Sequence, residues 1–175
     1  VDQAKKNPGI KYDTQKHNVT VNVTDNDGDG KMEVAISYEG KSSLTVTNSY
    51  DATGSIKFNG TKSLKGRTLK AGEFSFKLVG PQGTQTVTNQ ADGSFEFGKI
   101  DYTKADAGKT YQYTITEVNP GSTNGMKYDD SVYTVDVQIA DNGKGTLVTT
   151  PTYKKNGQVV SEVDFAYFEN TYTAA

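Results

Sequence analysis

The sequence predicts an all-β protein, a β-sandwich module preceded by the rear half of a second, similar module. Three observations lead there. Apolar residues alternate with polar ones in short runs, helical periodicity is nearly absent, and turn signals separate the runs. A block of sequence near the start also returns near the end.

The elements follow in order. "NVTVNV" (18–23) puts Val19, Val21 and Val23 on one face. "SIKFNGTKSL" (55–64) reads as the first strand of the complete module, with Ile56, Phe58, Lys62 and Leu64 on one side and Gly60 between them. "EFSFKL" (73–78) aligns Phe74, Phe76 and Leu78, and "SFEFG" aligns Phe95 and Phe97. "YQYTITEV" aligns Tyr111, Tyr113 and Ile115, and "YTVDVQI" aligns Val135, Val137 and Ile139. Between these runs lie "NDGDG", "ADG", "NPG", "DNGKG" and "KNG", all turn-forming. Many short strands at this spacing suit a sandwich.

Composition agrees. The 175 residues are 33% hydrophobic and 23% charged, with 18 Gly and 4 Pro. Eleven Tyr and seven Phe without Trp suit a small sandwich core. A net charge of −2 provides no basic field, so nucleic acid and anionic membranes are poor partners. No apolar run reaches the roughly 20 residues of a membrane span. The absence of cysteine excludes disulfides, thiol catalysis and Cys-based zinc sites. A small extracellular module without cysteine needs another source of strength.

The repeat sets the domain boundaries. "GIKYD" (9–13) returns as "GMKYD" (125–129). Val19, Val21 and Val23 then fall on Val135, Val137 and Ile139, and both copies run on to Asn-Ser-Tyr or Asn-Thr-Tyr. Residues 1–51 therefore correspond to the C-terminal half of a module, and 52–175 to a whole one. A rear half has an apolar face and nothing of its own to bury it against. The expectation is a tandem array that continues upstream, or a partner strand set supplied from elsewhere.

Three polar residues share the parity of the core set. Lys62 sides with Phe58 and Leu64, Glu117 with Tyr113 and Ile115, and Asn170 with Ala166, Phe168 and Tyr172. Each alone has an ordinary explanation, since strand ends reach water. Together they have a specific chemistry. A neutral lysine amine can attack an asparagine carboxamide and expel ammonia, leaving an amide between side chains. Burial supplies the neutral amine, and a buried glutamic acid stays protonated to shuttle the proton. The fold must hold the three together, which side-by-side first and last strands would do.

The motifs "TKSLKGRTLKAGEFSFKLVG" (61–80), "GSFEFGKIDY" (93–102), "AGKTYQYTITEV" (107–118), "GMKYDDSVYTVDV" (125–137) and "FENTY" (168–172) span nearly all of 52–175. In them the chain resembles the Gram-positive, streptococcal-type pilin isopeptide-linkage module, related to the Cna B-type Ig-like domains of surface adhesins and pilins. The resemblance implies that Lys62 and Asn170 form an isopeptide bond with Glu117 as the catalytic acid. It also implies an extracellular location on a bacterial cell surface, anchored to the wall through a region outside these residues. No cofactor is implied, and the implied partners are neighbouring repeat modules, with host molecules engaged through other domains. In the first copy Asn48 takes the asparagine position. Its lysine is expected upstream and its acid just ahead of Val1, so Asn48 is expected to be unreacted. Lys5, Lys6 and Lys11 are candidate substitutes by sequence proximity alone and are discounted.

Other features carry less. Asp25, Asp27 and Asp29 in "DNDGDG" (25–30) begin like a calcium loop, but the twelfth position is Ile36 rather than a glutamate. A plain hairpin turn is favoured, with no metal. His17, the single histidine, falls on Tyr133 and reads as an exposed strand residue with no triad around it. The acceptor patterns at Asn18, Asn22 and Asn59 read as accidental. The tyrosines read as core packing rather than a carbohydrate platform. The resemblance also implies that another lysine can serve an inter-subunit linkage; Lys41, Lys154 and Lys155 sit in expected loops, and no motif selects one. The alternatives to a structural stalk module are a ligand-binding adhesin domain, for carbohydrate or host protein, and a calcium-stiffened linker. A conventional enzyme is the weakest reading, since no substrate site is visible.

Overall fold

The alternating runs become strands in the computed structural model, which describes residues 5–121 and 124–174. The chain divides into two units, Val1–Asp51 and Ala52–Ala175. No helix among the described residues is long and apolar enough to cross a membrane.

The first unit holds β1 (Ile10–Lys11), β2 (Val19–Thr24), β3 (Glu33–Tyr38) and β4 (Ser49–Tyr50). β2 and β3 form an antiparallel hairpin in which Val21 faces Ile36 and Val23 faces Val34. Facing residues share a side of the ribbon, so these four and Val19 make one apolar face. All five are exposed. β1 pairs antiparallel with β4. The stretch "TVTNSY" is therefore strand only in its last two residues, because β1, its partner, is itself only two residues long.

The second unit runs through β5 (Thr53–Ile56), β6 (Asn59–Lys65), β7 (Ser75–Gly80), β8 (Gly83–Thr88), β9 (Ser94–Glu96), β10 (Ile100–Thr103), β11 (Thr110–Glu117), β12 (Met126–Lys127), β13 (Val132–Asp141), β14 (Leu147–Lys155), β15 (Gln158–Val159) and β16 (Tyr167–Tyr172). It is an Ig-like sandwich. One sheet has six strands in the order β15-β14-β13-β11-β7-β8, and the other has four in the order β12-β16-β6-β9. β16 and β6 run parallel, with Phe168 opposite Lys62 and Asn170 opposite Leu64. The remaining named pairings in both sheets are antiparallel.

The expected strand over 55–64 is divided. β5 pairs with β10, and β6 belongs to the four-stranded sheet. The two pieces find different partners, while Phe58 at the break stays buried and its carbonyl accepts from Phe97 N–H.

The alternation elsewhere is reproduced as burial. Phe74, Phe76, Leu78, Phe95, Phe97, Tyr113, Ile115, Val135, Val137 and Ile139 are all buried. Phe76 of the large sheet stacks on Phe95 of the small one at 3.8 Å and tilts against Phe168 at 5.3 Å. Tyr133 meets Phe168 edge-on at 5.0 Å. Tyr102 and Tyr113 are buried in the core with their hydroxyls hydrogen-bonded to each other. Gly60 lies opposite Phe95 within the small sheet and leaves room for its ring, since a Cβ there would lie 2.2 Å from the Phe95 ring and 2.4 Å from the Ala166 carbonyl oxygen.

Two outcomes follow from this packing. Phe76→Ala should destabilise the second unit by about 3–5 kcal/mol in a denaturant melt, as large buried aromatics do when truncated. Gly60→Ala should cost about 1–3 kcal/mol by the same measurement, the usual cost of overpacking where a backbone atom cannot give way.

Candidate functional site

Lys62 reaches the core for reasons set by β6. Its parity aims it inward with Phe58, and its backbone is fixed on both sides. β16 runs alongside, and Lys62 N–H donates to Gly93 O at 2.7 Å. Gly93, in the "ADG" turn, has φ +91° and leaves room for only a hydrogen, since a Cβ would stand 2.1 Å from Lys62 O. The amine ends 4.6 Å from the centre of the Phe74 ring. Asn89 holds Phe74 there: its Oδ1 accepts from Phe74 N–H, and its Nδ2 donates to the Lys70 and Gln90 carbonyls.

Glu117 is the last residue of β11, in register with Phe76 of β7. Asn170 lies mid-strand in β16. The three meet between the sheets. Lys62 Nζ donates to Glu117 Oε2 at 2.9 Å, and Asn170 Nδ2 donates to Glu117 Oε1 at 2.7 Å. The side chains of Lys62 and Glu117 have no exposed surface, and Asn170 is 0% exposed. One carboxyl thus bridges a lysine amine and an asparagine carboxamide nitrogen.

The electrostatics favour uncharged partners. Burial pushes the Lys62 amine below its ordinary range, against the pull of Glu117. Burial pushes the Glu117 carboxyl up, against the pull of Lys62 and the Asn170 hydrogen bond. In each group desolvation is the larger influence. A buried ion pair recovers its desolvation cost only in part, so moving the proton from Lys62 to Glu117 yields a nucleophilic amine and a proton donor together.

The carboxamide oxygen is held separately. Asp129 N–H donates to Asn170 Oδ1 at 2.8 Å. The Asp129 carboxylate accepts from Ser131 N–H and from Glu169 N–H, beside Asn170. Asp129 ends the recurring "GMKYD" motif, whose residue types alone give it no role. The available signal was its recurrence as Asp13, ahead of an asparagine in both copies.

The remaining candidates separate from this cluster. Asn48 is exposed, and its Oδ1 accepts from Asp13 N–H at 2.9 Å. Lys5, Lys6 and Lys11 are exposed. His17 is not in a strand. It is half-buried, 3.0 Å from Asp13 Oδ2 and 3.4 Å from Glu39 Oε1, because it follows the Asp13 turn rather than entering β2. A hydrogen bond to the Asp13 carboxylate leads the influences that raise its pKa. Asp25, Asp27 and Asp29 cluster in the exposed β2–β3 turn, where their carboxylates accept from the N–H groups of Gly28, Gly30, Asp29 and Lys31. Lys41 closes the tight turn after β3 against Tyr38. Lys154 and Lys155 lie in β14 rather than a loop. Lys154 pairs with Asp136 and Lys155 rests over the Tyr133 ring, because β13 and β14 extend together to residue 155.

No curated protein matches the chain. Among solved structures, the major pilin from Streptococcus pyogenes is 20% identical over 66% of this chain and 50% of its own, with a TM-score of 0.46. The major pilin protein T-13 from S. pyogenes serotype GAS131465 is 15% identical over 70% of this chain and 52% of its own, with a TM-score of 0.41. The chain thus spans about half the length of these structures. The family model FctA, described as the Spy0128-like isopeptide containing domain, matches residues 1–51 and 58–173. The chain belongs to the Spy0128-like isopeptide containing domain family.

Proposed function

We propose that residues 52–175 are a load-bearing stalk module of a bacterial cell-surface, pilus-like protein, strengthened by an isopeptide bond that Lys62 and Asn170 form without an enzyme. The observation that carries this reading is the buried chain from Lys62 Nζ through both Glu117 oxygens to Asn170 Nδ2. Glu117 is the proton shuttle. It takes a proton from the amine and returns one to the departing nitrogen, so the products are the amide and ammonia. The protein is its own substrate and turns over once. No cofactor takes part. Residues 1–51 are the rear half of a preceding module of the same type, and neighbouring modules of the same protein are the partners.

The bond would tie strands roughly a hundred residues apart along the chain, a closure worth about 4–5 kcal/mol on the chain-entropy estimate used for disulfides. It also joins β6 to β16, so tension between the ends of the module would load a covalent link rather than a ladder of hydrogen bonds. An amide cannot be reduced, which suits a chain with no cysteine.

Intact mass tests this directly. The folded chain should weigh about 17 Da less than its sequence, the mass of one ammonia. Lys62→Ala, Asn170→Ala and Glu117→Ala should each keep the full mass and melt at a lower temperature. A folded wild-type chain at full mass would overturn the reading.

A further inference from the structure

Asn170 is gripped at both ends of its carboxamide. Glu117 takes the nitrogen, which must leave, and the backbone N–H of Asp129 takes the oxygen at 2.8 Å. When Lys62 Nζ attacks the carboxamide carbon, the C–N bond forms and the C=O π electrons move onto Oδ1. The negative charge therefore develops where the Asp129 N–H already points. In a site closed to water a pre-aimed donor of this kind stabilises the transition state more than the ground state. When the intermediate collapses, the C=O re-forms and the bond to Nδ2 breaks, ammonia leaves with the proton that Glu117 first took from the amine, and the Glu117 carboxylate takes the remaining extra proton from the new amide nitrogen.

The donor is itself braced. The Asp129 carboxylate accepts from Ser131 N–H at 2.9 Å and from Glu169 N–H at 2.8 Å. The first contact shapes the loop after β12, and the second ties that loop to β16 one residue before Asn170. Together they fix the direction of the Asp129 N–H relative to the carboxamide.

Among its described residues, the first unit repeats the device without the rest of the site. Asp13 N–H donates to Asn48 Oδ1 at 2.9 Å, and the Asp13 carboxylate accepts from Gln15 N–H at 2.7 Å, as Asp129 does from Ser131. A buried carboxamide oxygen needs some donor in any protein. Asn48 is exposed and could take water, yet the same backbone donor is aimed at it. The pairing thus belongs to the repeated Lys-Tyr-Asp motif and does not depend on burial.

We propose that the backbone N–H of Asp129 is the oxyanion donor for the condensation of Lys62 with Asn170, and that the Asp129 carboxylate is the positioning group that keeps it aimed. The proposal rests on Lys62 and Asn170 being the bond partners.

The test uses the whole chain assembled by chemical ligation in denaturant, once with its native backbone and once with the Tyr128–Asp129 peptide bond replaced by an ester. The ester removes the N–H and keeps the carboxylate. Both chains are refolded by dilution, folding is followed by near-UV circular dichroism, and loss of ammonia is timed by mass. The native chain should lose ammonia on folding, and the ester chain should do so about 10²–10³-fold more slowly, the usual effect of deleting one oxyanion donor. A folded ester chain that reacts at the native rate overturns the proposal. Where the ester chain does not fold, Asp129→Ala keeps the N–H but removes its brace. A slowing of roughly tenfold or more supports the positioning role, and an unchanged rate overturns it. A native-backbone chain that folds and never loses ammonia overturns the bond itself, which separates the two failures.

Discussion

The second unit depends on the parallel pairing of β6 with β16. The segments are distant in sequence, and antiparallel hairpins cannot make this pairing. It closes the four-stranded sheet and places Lys62 opposite Phe168 with Asn170 two residues further on. Once that register is set, the two polar side chains lie in the interior between the sheets, with the end of β11 supplying Glu117. A slip of one residue would turn Asn170 to the outer face. The aromatic packing of Phe168 against Phe76 and Phe95 opposes such a slip. The hydrophobic core thus determines which polar groups can meet.

Desolvation then acts on what the register has assembled. A lysine and a glutamate without exposed side-chain surface are costly as separate ions, and their mutual attraction only partly offsets this cost. Both shift toward their neutral forms. Neutrality is what an amine nucleophile and an acid donor require. The energetic cost of burying these groups and the chemistry they are suited to have the same origin.

The two copies of the repeat separate local pattern from burial. Val19, Val21 and Val23 alternate as Val135, Val137 and Ile139 do. The first three are about half exposed, at 51%, 53% and 54%, whereas the second three are at 0%. The difference lies in the cover. In the second unit β7, β6 and β9 bring Phe76, Lys62 and Phe95 into the same core, and the first unit has no such strands among its described residues. Likewise Asp13 addresses Asn48 as Asp129 addresses Asn170, but only the second asparagine is enclosed.

Much of this was legible in the sequence. Period-two alternation states which side chains share a face, so it marked Lys62, Glu117 and Asn170 as inward-facing. Alternation says nothing about which strands pair. The break of 55–64 into β5 and β6, the short β4, the half-buried turn position of His17 and the placement of Lys154 and Lys155 in β14 were settled by partners from distant parts of the chain. The role of Asp129 was hidden for a related reason. Its contribution to the carboxamide is a backbone N–H, which every residue but proline possesses, and only the tertiary approach of the loop after β12 to β16 aims it at Asn170. Side-chain chemistry and facing are local properties and can be read along the chain. The meeting of an amine, an acid, a carboxamide and one particular amide proton is a property of the packed sandwich alone.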